Sequence, residues 1–61
     1  MPAITIKALE GRTIEQKRGL VRDITEAVVK NFGVQAELVS IDIFEISKEN
    51  IAKAGVLFVD R

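Results

Sequence analysis

Strict alternation opens the chain. From residue 2 to 9 (PAITIKAL), Ile4, Ile6 and Ala8 fall on one side and Ala3, Thr5 and Lys7 on the other, with many β-branched residues. A period of two predicts a strand, and the apolar character of both sides predicts cover on both. Glu10, Gly11 and Arg12 make a turn. The period then lengthens to that of a helix over residues 14–32. Leu20, Val21, Ile24, Ala27, Val28 and Phe32 form its apolar stripe, with Lys17, Arg18, Arg22, Asp23, Glu26 and Lys30 on the other sides. Thr13 followed by Gln16 is a capping box, Glu15 suits the positive end of the helix dipole, and Gly33 suits a left-handed stop. Arg22 and Glu26 stand at i,i+4, spaced to pair. Alternation returns over 38–46 (LVSIDIFEI). Val39, Ile41 and Ile43 share a face fit for the helix, while Ser40, Asp42, Phe44 and Ile46 mix polar and large apolar groups on the other. Beyond a turn-like SKEN, Gly55 precedes VLFV, a short strand fit to pair with a neighbour.

Strand, helix and strand in this order predict a right-handed crossover and parallel pairing, an α+β unit of β-α-β type. Two strands make a marginal sheet. Two chains side by side would give four strands with both helices on one face, leaving an apolar face around Phe44 for assembly beyond the dimer.

Composition strengthens that expectation. A single domain spanning 1–61 buries little apolar surface, and small domains usually add disulfides, a metal or a partner subunit. The chain has no Cys and no His, which removes disulfides and His/Cys zinc sites, so a homo-oligomer remains. It is 48% hydrophobic and 30% charged, with nine basic and nine acidic residues. The balance leaves no basic stripe for nucleic acid. No apolar run approaches a membrane span and no signal peptide is apparent, so a cytoplasmic location is expected.

Candidate chemistry is sparse. With His, Cys and Tyr all absent, no side chain has an unperturbed pKa close to neutrality. Pro2, the only proline, follows Met1 directly. Removal of Met1 would expose a secondary amine. An ordinary α-amino group titrates near pH ~8, and desolvation or a neighbouring cation lowers that value. The N-terminus is therefore the candidate base. The plainer reading is that proline is simply an ordinary second residue.

Pro2, the strand AITIKALEGR, the helix start TIEQKRGLV and the overall length together resemble the 4-oxalocrotonate tautomerase family. The stretch LEGRTIEQK carries most of the likeness, which continues to Glu45 and weakens in the tail. The resemblance implies a β-α-β subunit with a short C-terminal hairpin, paired into a four-stranded sheet, with three such dimers forming a hexamer. It implies an enol–keto tautomerase acting on a small unsaturated 2-hydroxy acid such as 2-hydroxymuconate, a step of aromatic degradation, without cofactor or metal. Pro2 would be the general base, and Arg12 would hold the substrate carboxylate remote from the enol. A planar guanidinium fork matches a carboxylate well; the plainer reading of Arg12 is a solvated turn residue.

Two departures stand out. Ser40 occupies the position of the family's second catalytic arginine, and a hydroxyl offers one hydrogen bond where a cation is expected. Ile51 stands where the family has a phenylalanine, keeping that side of the site apolar but changing its shape; the glycine-rich tail is reduced to AKAG at 52–55. Lys48 and Arg61 are the candidate replacement cations, against the plainer reading of solvated charges, and Asp42 is an unexpected acid beside an anionic substrate. The chain is thus read as a tautomerase with a single carboxylate clamp. The competing reading is a weak or inactive oligomer with a structural or binding role.

Overall fold

The computed structural model describes residues Met1–Arg61 throughout. Strand β1 covers Ala3–Leu9, helix α1 Ile14–Phe32 and strand β2 Ser40–Ile46, followed by the short strands β3, Ala52–Lys53, and β4, Val56–Leu57. Three 3-10 turns punctuate the chain at Ala36–Leu38, Lys48–Asn50 and Phe58–Asp60.

Local chemistry sets the ends of α1. The Thr13 hydroxyl accepts from the Gln16 N–H at 3.1 Å, and the Gln16 side-chain oxygen accepts from the Thr13 N–H at 2.9 Å. The capping box thus satisfies two donors that the first turn leaves free. At the other end Gly33 adopts φ 69°, and its N–H donates to the Val29 carbonyl at 3.0 Å. A left-handed residue closes the helix there at no side-chain cost.

The strands β1 and β2 pair in parallel, with Ala3 opposite Ser40, Ile6 opposite Ile43 and Leu9 opposite Ile46. Ile4, Ile6, Ala8, Ile41 and Ile43 are half-buried on the helix side, whereas Ala3, Thr5, Lys7, Ser40, Asp42 and Phe44 are exposed on the open side. The period-two reading of both strands therefore holds. Strand β2 starts at Ser40, two residues later than the pattern predicts. The preceding residues turn instead, with the Val39 N–H donating to the Ala36 carbonyl at 3.0 Å.

The helix stripe is narrower than its apolar pattern. Lys17, Val21, Ile24, Thr25 and Val28 are half-buried, but Leu20, Ala27 and Phe32 are exposed. At 3.6 residues per turn Leu20 and Ala27 lie about a quarter-turn from the stripe's centre. Phe32, in the last turn, is 69% exposed. The expected Arg22–Glu26 pair is not formed. Arg22 Nε lies 3.9 Å from Asp23 Oδ1, and Arg18 pairs with Glu15. All four of these side chains are well exposed, where ion pairs hold geometry weakly. The one cross-element pair joins Lys17 on α1 to Glu45 on β2.

The tail forms the short hairpin that the resemblance implies. Strand β3 pairs with β4 antiparallel, Ala52 opposite Leu57, around a turn with Ala54 at φ 52° and Gly55 at φ 79°. Two positive values in a two-residue loop match the twist of a tight hairpin. Phe58 and Val59 leave the expected strand for the 3-10 turn Phe58–Asp60.

The subunit is thin and open. It measures 44 × 23 × 13 Å with a radius of gyration of 14.8 Å; a compact chain of this length would have about 10–11 Å. No residue is fully buried, and the accessible surface is 4863 Å². A folded monomer of this mass exposes roughly 3900 Å².

Candidate functional site

Parallel pairing brings Pro2 and Ser40 to the same end of the sheet. The Ser40 N–H donates to the Pro2 carbonyl at 3.1 Å, extending the ladder one residue beyond β1. Pro2 is half-buried and Ser40 exposed. While Met1 is attached, the proline nitrogen is an amide with no basic lone pair. Once it is free, the same nitrogen becomes a secondary amine on a backbone already fixed by β2. Asp42 and Thr5, opposite each other in the register, follow on the open face.

Arg12 stands at the far end. The seven residues of β1 lie between it and Pro2, and a strand rises about 3.3 Å per residue, so roughly 20 Å separates the two in one subunit. No small enol spans that distance. A site using both residues therefore draws them from different subunits.

Around Arg12 the chain forms an open notch of about 230 Å³, lined by Arg12, Gln16, Lys17 and Leu20. Gln16 and Leu20, at i and i+4, come from one face of α1 with Lys17 beside them, and Arg12 comes from the turn before the helix. Arg12 makes no side-chain hydrogen bond or ion pair within the subunit. Gln16 uses its oxygen in the cap, leaving its amide N–H groups to donate. Lys17 is held by Glu45. The notch thus offers donors and positive charge above one apolar side chain, as a carboxylate on a short carbon chain requires. Of this lining, the sequence analysis singles out Arg12 alone as a site candidate. Gln16 was read only as a cap, Lys17 as an outward charge and Leu20 as core. Gln16 and Leu20 stand at i and i+4 in the helix that follows Arg12 directly, which was the available signal.

Ile51 is half-buried at the base of the hairpin, its carbonyl accepting from the Phe58 N–H at 2.8 Å. Arg61 is engaged within the tail. Its Nη2 donates to the Lys53 carbonyl at 2.7 Å, and its guanidinium carbon lies 5.4 Å from the centroid of the Phe58 ring. Lys48 is exposed and makes no ion pair in the subunit. No group of three or more His, Cys, Asp or Glu side chains is placed to hold a metal ion, and no helix is long and apolar enough to cross a membrane.

The tautomerase enzyme family profile matches residues 2–61. The 2-hydroxymuconate tautomerase of Bacillus subtilis is 49% identical over 55 residues, covering 90% of this chain and 89% of that protein. A crystal structure of a 4-oxalocrotonate tautomerase homologue superposes with a TM-score of 0.95 at 38% identity, covering 100% of this chain and 97% of that one. A heterohexamer 4-oxalocrotonate tautomerase from Chloroflexus aurantiacus superposes with a TM-score of 0.88 at 30% identity, covering 98% and 97%. Family profile, relative and folds agree over nearly the whole length, and the chain belongs to the tautomerase family.

Proposed function

We propose that the mature chain is a cofactor-independent enol–keto tautomerase in which the free Pro2 amine is the general base. The observation that carries this reading is that the family profile takes up the chain at Pro2, leaving Met1 outside the match. The amine accepts a proton from the 2-hydroxyl of a conjugated enol such as 2-hydroxymuconate. The electron pair shifts through the diene, and the proton returns to carbon. The net change is an isomerisation, and one group that both takes and gives a proton performs it.

Arg12 of a second subunit holds the carboxylate remote from the enol, since its own Pro2 lies at the other end of β1. The thin, open subunit supports a homo-oligomer, with a hexamer built as a trimer of dimers the arrangement that the resemblance favours. Ser40 beside the amine offers the developing oxyanion a hydroxyl rather than a cation, so turnover of a dicarboxylate is weak. An enol acid that needs only one carboxylate clamp, and whose carboxylate reaches Arg12, suits the site better. Ser40 is also what favours the second reading, an assembly whose catalytic power has declined.

The test compares Met-free with Met-retaining protein on one enol, with oligomer mass and helix content checked in both. Ketonisation well above background by the Met-free form alone is expected. Equal rates would remove Pro2 from the chemistry.

A further inference from the structure

We infer that Glu45 sets the charge of the Arg12 notch, and with it the charge of the substrate group that the notch accepts. The inference rests on Arg12 holding a substrate carboxylate. Two cations, Arg12 and Lys17, line the notch. Glu45 reaches Lys17 from β2, 28 residues away in sequence, and cancels its charge. The acid of the first helical turn, Glu15, is tied to Arg18 and lies outside the lining. One net positive charge remains, on an Arg12 without a partner.

The Lys17–Glu45 pair is placed for such a role. The two side chains are 26% and 30% exposed, much drier than the Arg18–Glu15 pair at 63% and 76%. Charges less covered by water act more strongly on a bound anion. The pair also fixes the lysine that forms one wall, so the same contact shapes the notch and neutralises it. Glu45 touches no substrate and acts through Lys17. It is a positioning and specificity residue, not a catalytic one.

Charge control and a purely mechanical strap predict different signs. Glu45→Gln keeps a carbonyl that accepts from Lys17 but raises the notch to two positive charges. Lys17→Gln lowers it to none. With 2-hydroxymuconate and Met-free protein at low salt, KM falls roughly three- to tenfold in Glu45→Gln and rises by a similar factor in Lys17→Gln. In both, kcat stays within about twofold, and the shifts shrink as salt is added. Circular dichroism confirms that each variant retains its helix. Titration calorimetry with adipate, an unreactive six-carbon dicarboxylate, reads the same opposed shifts in Kd without turnover. Shifts of the same sign in the two variants, or none, overturn the inference and leave the pair as a strap. Arg12→Ala separates the levels. If it weakens adipate binding while the opposed shifts are missing, only the role of Glu45 falls. If it changes nothing, the carboxylate reading of Arg12 falls as well.

Discussion

On the proposed mechanism, the most consequential single residue of the Pro2 end is Ser40, a serine where a guanidinium would help. Its N–H is already committed to the Pro2 carbonyl, so only its hydroxyl can face an oxyanion, and that hydroxyl carries no charge. Loss of one preorganised donor typically costs about 3 kcal/mol in the transition state. In Met-free protein, Ser40→Arg should accordingly raise kcat/KM for 2-hydroxymuconate by roughly ten- to a hundredfold. Exposure of Ser40 on the open face leaves room for the longer side chain within the subunit. An unchanged rate would mean that a cation from another subunit already serves the amine. At this scale the sequence was informative where chemistry follows from residue type alone. A chain without His, Cys or Tyr leaves few groups to choose from, which is why Pro2 stood out, whereas Arg12 was singled out only by the family resemblance. The Lys17–Glu45 contact was hidden, since nothing in either residue's surroundings in sequence points to a partner 28 positions away.

Helix α1 was legible to the residue because its signals are local. Thr13, Gln16 and Gly33 each act within one turn of where they stand, and the predicted span 14–32 is the observed one. Its buried face was less so. Periodicity gives an apolar arc, but the sheet decides which part of that arc it covers, and Leu20 fell to the notch instead. The tail was hardest. Its two strands are two residues each, too short for alternation to register. The hairpin turn carries a cost that a substitution should remove. Ala54 sits at φ 52°, where a β-carbon crowds the backbone, while Gly55 at φ 79° bears no such penalty. Asparagine tolerates this conformation and is favoured before glycine in tight hairpins. Ala54→Asn should stabilise the folded protein by about 1 kcal/mol, seen as a higher midpoint in urea at fixed protein concentration. A lower midpoint would show that the alanine methyl contributes packing in the assembly that outweighs the strain.

Taken as a whole, the subunit has the surface of an incomplete object. Its 4863 Å² exceeds the monomer expectation by about 1000 Å², and none of its residues is fully buried. Phe44 is 55% exposed in the middle of the open sheet face, and Met1, Ile14 and Phe32 are more exposed still. Burying a phenylalanine contributes about 2 kcal/mol per subunit, which is large beside the stability of so small a chain. Each of β1 and β2 also has one unpaired edge, which a second copy can extend. Folding and assembly should therefore be one transition. Sedimentation at micromolar concentration should show a single oligomer, and its melting temperature should rise with protein concentration because association stabilises only the folded form. Phe44→Asp places a carboxylate two positions from Asp42 on the same face and removes the largest apolar group there. The expected result is loss of helix and of assembled mass together. Because Pro2 and Arg12 of one subunit lie about 20 Å apart, any assembly defect should also abolish turnover. A folded Phe44→Asp monomer that still ketonises an enol would overturn both the assembly argument and the shared site. A folded but inactive monomer would leave the shared site standing and show that the subunit is stable alone.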